Sequence, residues 1–222
     1  ARDQGIAEAY YQLSVCRFYS GYKKQALPDA QRSVELDDDN PNYWAHLGDL
    51  YYALDNDQDA VRSWNTALLL DSTHTTATLG LVDFYIEHDS FLLAERLLGN
   101  LKSAVGFLPE WHYRMAVCKQ GLGDFTEAVS HYQPCLEANP YDEQARYHLT
   151  LCYYALKNWD STVIQANKLV ELNPQEAEYF FLRGTDHDQL GHLAQAKRDL
   201  ERAVLLDPQN LEYQSALKQV GK

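Results

Sequence analysis

The chain has 222 residues, 19 of them Lys or Arg and 32 Asp or Glu, for a formal net charge of −13. That balance argues against a nucleic-acid binder or a polybasic membrane contact, because both need clustered cations to meet phosphate. A hydrophobic content of 45% with only 7 Pro and 11 Gly excludes a disordered or collagen-like chain, and no apolar run reaches the roughly 18 residues of a bilayer span.

The first residues carry no basic and apolar leader, and the chain opens on Ala rather than Met. From Ala7 onward it divides into six blocks of 34 residues without an insertion: 7–40, 41–74, 75–108, 109–142, 143–176 and 177–210. Ala26, Ala60, Ala94, Ala128, Thr162 and Ala196 mark one column of small residues, at position 20 of each block. Leu13, Leu47, Leu81, Met115 and Leu149 mark position 7, and Ser14, Gly48, Val82, Ala116, Thr150 and Gly184 follow at position 8.

The second block reads most clearly. At 100° per residue, Trp44, Leu47, Gly48 and Tyr51 share one side of a first helix. Ala60, Trp64 and Ala67 form the matching seam of a second, and Asp55-Asn56-Asp57 marks the turn between them. The small columns let the two helices of a pair approach, and larger residues at positions 4, 11 and 24 fill the space around them. Pro28 and Pro134 fall inside second helices and are expected to bend or shorten them. The third block departs furthest, with Thr78 at position 4, Val82 at position 8 and Gly99-Asn100 inside its second helix. Pro140, Pro174 and Pro208 end later blocks. In the remaining 211–222, Leu211, Leu217 and Val220 suit a short capping helix, as an open repeat end requires.

This pattern resembles the tetratricopeptide repeat family, whose 34-residue unit is a helical hairpin. The resemblance implies an all-α, right-handed superhelical solenoid of antiparallel helix-turn-helix repeats. It implies a single array over 1–222, with positions 2, 5, 6, 9, 12 and 13 lining a concave surface. Those positions hold eight aromatic residues: Tyr11, Phe18, Tyr19, Tyr52, Tyr113, Tyr147, Tyr154 and Phe181. The corresponding outer stripe of the second helices holds none. Seven inner positions are acidic (Glu8, Asp49, Asp83, Glu87, Glu110, Glu178 and Asp188), and Arg114 is the one base. Such a stripe is expected to bind a basic or amphipathic partner segment through aromatic anchors, with Tyr52, Tyr113 and Tyr147 foremost. Asp49, Asp83 and Arg114 would fix register, beside His46 and His148. The alternative for the tyrosines is packing within a tightly wound inner surface.

Two groove chemistries known in the family are missing. Tyr11, Val15, His46, Thr76 and Gly80 stand where a clamp for chaperone tails needs Lys, Asn and Arg. Position 6 runs Gln12, His46, Gly80, Arg114, His148, Leu182, with no asparagine ladder.

No cofactor, metal or catalytic role is expected. The four cysteines include no C-x-x-C, and Cys16, Cys118 and Cys152 recur at position 10, as packing residues do. Unpaired thiols point to a reducing compartment, although buried cysteines also survive in a periplasm. His148 and Cys152 could offer two ligands from one helical face, but a lone pair does not complete a metal site. No nucleophile elbow, zinc-protease or phosphate-loop motif appears. The expectation is a non-enzymatic interaction scaffold. The alternatives are a self-associating building block of a larger envelope-type assembly, or a fragment of a longer chain.

Overall fold

The structure is a computed structural model that describes residues 4–105 and 109–220. Every regular element among them is helical. The chain divides into two compact units, Ala1–Gly106 and Phe107–Lys222. The first holds α1 (Gln4–Tyr19), α2 (Lys23–Leu36), α3 (Pro41–Tyr52), α4 (Asp57–Leu70), α5 (Thr75–Glu87) and α6 (Phe91–Val105). The second holds α7 (Pro109–Gly121), α8 (Phe125–Ala138), α9 (Glu143–Ala155), α10 (Trp159–Leu172), α11 (Ala177–Gln189), α12 (Leu193–Leu206) and α13 (Leu211–Gln219). Helices pair as antiparallel hairpins, one to each 34-residue block, and α13 follows the last pair. The fold class is the helical-repeat solenoid expected from the sequence.

Small columns hold each hairpin together. All six residues of the Ala/Thr column are fully buried, and so are the six at position 8. A larger side chain there has nowhere to go. A Cβ on Gly184 would lie 2.9 Å from Leu200 Cγ and 3.2 Å from the Ala196 carbonyl oxygen. Positions 24 and 27 complete the seam, with Trp64, Leu98, Tyr132, Leu169 and Leu200 all fully buried.

The hairpin turns repeat down to a single torsion angle. Position 15 has positive φ in all six blocks: Gly21, Asp55, Asp89, Gly123, Lys157 and Gly191. Glycine accepts that conformation freely, whereas Asp and above all Lys are strained there. Polar caps start the helices that follow the turns. Asn56, Asp124 and Asn158 each accept a backbone N–H from the first turn of α4, α8 and α10.

Four details refine the expectations drawn from sequence. The helices bearing Pro28 and Pro134 are not shortened: α2 and α8 run 14 residues, as α4, α10 and α12 do. Leu13 is 42% exposed although its column is buried in the next four blocks, because it lies on the outer end of the first hairpin. Cys16 is exposed there for the same reason, while Cys118 and Cys152 are buried. In α13 the buried residue is Tyr213, packed on Phe180, Phe181 and Ala203, while Leu211 is exposed.

Candidate functional site

In the first compact unit the inner faces of α1, α3 and α5 enclose a pocket of about 150 Å³. Tyr11, Val15 and Tyr19 come from successive turns of α1, and Asn42, Ala45, His46 and Asp49 from α3. His74, which caps α5, and Thr76 of its first turn close the far side. Eight of these nine residues occupy the inner-stripe positions, so the repeat register itself assembles the pocket.

Hydrogen bonds fix the tautomers of the two lining histidines, and burial keeps both neutral. The Ser14 hydroxyl donates its one proton to the Ala26 carbonyl at 2.9 Å. It must therefore accept at its 2.9 Å contact with His46, which places the imidazole proton on Nε2 and leaves Nδ1 as a lone-pair acceptor. Burial holds His46 neutral, with its pKa lowered to about 4. Phe18 and Tyr11 pack edge-on to its ring at 5.7 and 5.5 Å. His74 is neutral for the same reason. Its Nδ1 accepts from the Ala77 amide at 3.2 Å, and its Nε2–H donates to Asn42 Oδ1 at 3.1 Å.

Asp49 carries the pocket's carboxylate. Trp64, buried between the helices, donates its indole N–H to Asp49 Oδ1 at 2.9 Å. Burial raises the Asp49 pKa to about 6 and the indole bond partly opposes that shift. At neutral pH the group is ionised, and among the described residues no Lys or Arg pairs with it. The indole has room because its neighbours lack side chains. A Cβ on Gly48 would lie 2.5 Å from Trp64 Cδ1, and one on Gly80 2.4 Å from Trp64 Cε2.

Of the inner-stripe residues selected from sequence, Tyr11, Tyr19, His46 and Asp49 meet in this pocket, and Tyr19 is 83% exposed at its rim. Others are held by the fold. Tyr52 packs 5.5 Å from the Trp64 ring, and its hydroxyl donates to Glu87 of the next repeat. Asp83 is half-buried on α5. In the second unit Tyr147 donates to Glu178 Oε1 at 2.5 Å, and Tyr179 returns a bond to Glu143 Oε1 at 2.7 Å. Tyr43 makes the equivalent rung to Glu8 at 2.8 Å in the first unit. Tyr113 lies against the cluster around Ala116, Tyr132 and Leu149, and His148 stacks on Tyr132 with rings 5.9 Å apart. Phe181 packs on Tyr213 at 4.7 Å. Arg114 turns back along its own helix, with Nη1 3.4 Å from the Glu110 carbonyl. Tyr154 lies edge-on to Trp159 and stays 40% exposed. The Cys152 thiol is pushed up to about 12 by burial, far from thiolate chemistry.

The sequence reading missed Asn42 and His74, which lie at and next to a repeat boundary, and the second role of Trp64. The paired glycines at 48 and 80 were the available signal for Trp64.

Two family models described as tetratricopeptide repeat match residues 120–183 and 177–210. RNA polymerase II-associated protein 3 of Homo sapiens is 28% identical over 100 residues, covering 45% of this chain and 15% of the relative. The chain thus spans only a small part of that protein. Among solved structures, YrrB, a TPR protein with an unusual peptide-binding site, superposes with a TM-score of 0.78 at 20% identity, covering 85% of this chain and 97% of YrrB. PilF of Pseudomonas aeruginosa gives 0.77 at 17% identity, covering 95% and 96%. With the 34-residue helix pairs in register through both compact units, the chain is a tetratricopeptide repeat protein.

Proposed function

We propose that the chain is an adaptor that holds a basic or amphipathic segment of a partner protein along the inner stripe of its first compact unit. Tetratricopeptide repeat proteins generally mediate protein–protein interaction or scaffolding. The observation that carries the finer reading is the pocket itself: an unpaired carboxylate at Asp49, open aromatic surface at Tyr11 and Tyr19, and two neutral imidazoles. Aromatic anchors give large contact area at low entropic cost, and a carboxylate without a cation favours a basic partner.

The test is binding of a partner segment by the Tyr19→Ala and Asp49→Asn proteins, each first shown to be folded by circular dichroism. Tyr19 makes few contacts within the chain, so its removal should weaken binding by about 1–3 kcal/mol and leave stability unchanged. Equal binding by both variants and the parent would move the site off this stripe.

A second reading, association of the chain with itself, draws on the exposed Ile6 and Leu13 at the outer end of the first hairpin, 48% and 42% accessible. Sedimentation of the Leu13→Asp protein against the parent tests it. A concentration-dependent dimer abolished by the substitution would support that reading.

A further inference from the structure

We propose that the pocket between α1, α3 and α5 receives one lysine side chain of the partner segment, and discriminates against arginine. The inference rests on the interaction reading above and assigns the chemistry of its central contact. At about 150 Å³ the cavity falls below the ~300–1,000 Å³ of small-molecule sites, a size suited to a single side chain.

The lining matches an ammonium group on an unbranched stem. Val15 and Ala45 offer apolar surface to the methylenes, and the aromatic rings of Tyr11 and Tyr19 line the cavity beside them. Among the carboxylate and imidazole atoms of the lining, two acceptors remain without a protein partner in the described residues. One is Asp49 Oδ2, because the Trp64 indole bonds only Oδ1. The other is His46 Nδ1, fixed as an acceptor by the Ser14 bond on the opposite ring atom; His46 itself is only 8% exposed and lines the cavity. An ammonium radiates three donors from one point and can meet acceptors that converge from separate helices. A guanidinium draws its advantage from a planar fork on both oxygens of one carboxylate. Here the Trp64 indole already takes one of the lone pairs of Oδ1, so a fork would have to share that oxygen with it.

Trp64 also supplies the readout. Its indole N–H resonance, assigned by comparison with the Trp64→Phe protein, reports any cation that settles on Asp49. The full chain is titrated with n-butylammonium chloride, and in parallel with n-butylguanidinium chloride and sodium chloride at equal ionic strength. The expected result is a saturable shift with n-butylammonium, several-fold tighter than with n-butylguanidinium, not reproduced by sodium chloride and lost in Asp49→Asn. Equal or tighter binding of n-butylguanidinium would overturn the lysine assignment. So would a response unchanged in Asp49→Asn, or no saturable shift from either cation. If Asp49→Asn does not fold, Tyr19→Ala at the rim replaces it, with loss of n-butylammonium affinity expected and an unchanged affinity counting against the proposal. A set of acetylated, amidated dodecapeptides with and without lysine separates this idea from the broader one. Inner-stripe shifts that ignore lysine would overturn the lysine pocket and keep the groove, whereas silence from every peptide would sink both.

Discussion

The indole nitrogen of Trp64 donates to Asp49 Oδ1 at 2.9 Å while its ring lies between Gly48 and Gly80. One buried side chain thus joins the packing of the second and third repeats to the charged floor of the pocket.

Alanine at either glycine should therefore be costly. Gly48→Ala and Gly80→Ala each place a methyl under 3 Å from the indole, and the overpacking should lower stability by about 1–3 kcal/mol. Urea unfolding measures this. The Trp64→Phe protein, which removes the N–H and part of the ring, should show a reduced penalty for Gly80→Ala. An undiminished penalty would mean that the indole is not what the methyl meets.

The hairpin turns offer the opposite experiment. Lys157 holds φ of 56° where three other repeats place glycine. Lys157→Gly should stabilise by about 0.5–1 kcal/mol, and Asp55→Gly by less, because Asp tolerates this region better. Gly123→Ala should destabilise by about 1 kcal/mol. Thermal midpoints that rank these three otherwise would contradict the strain argument.

Asp186 should make stability depend on pH. It is fully buried, neither carboxyl oxygen has a hydrogen-bond partner, and burial alone raises its pKa to about 7. A folded-state value above the unfolded one, about 3.9, means that the folded chain binds the proton more tightly. The burden on stability is greatest above pH 7 and shrinks as pH falls through 7 towards 4, reaching an order of 3–4 kcal/mol at its largest. Asp186→Asn should raise the melting temperature at pH 8 and do little at pH 4. The same gain at both values would show that ionisation is not the cause.

The rung from Tyr147 to Glu178 predicts that the second unit's tyrosines stabilise the fold. Tyr147→Phe should cost about 1 kcal/mol, with Glu178→Gln non-additive in a double-mutant cycle. Tyr113→Ala with Tyr147→Ala should lower the unfolding midpoint well beyond that. If the double mutant melts like the parent, these rings do not support the fold and are free to serve a partner.

The seam residues were readable because close approach of two helices restricts side-chain size at fixed intervals, as at Gly184 and Ala196. Tyrosine on the inner stripe was not, since the same ring can stay open, as Tyr19 does, or turn to a neighbour, as Tyr52 and Tyr147 do. Those partners lie 35 and 31 residues away, a relationship that no local periodicity expresses. Tyr213 is not legible from aliphatic spacing, which points to the exposed Leu211, and His74 lies at a repeat boundary, outside the helical pattern.

The bracketed indole also bears on how freely such a protein can be rearranged. Repeats built to one template invite shuffling, duplication and transplantation, yet here the third must follow the second. Any other block in its place brings Gln12, His46, Arg114, His148 or Leu182 to the position of Gly80, and each would drive a side chain into the ring of Trp64. The order of these modules is written into their packing, so a library of permuted arrays should retain that junction more often than the others.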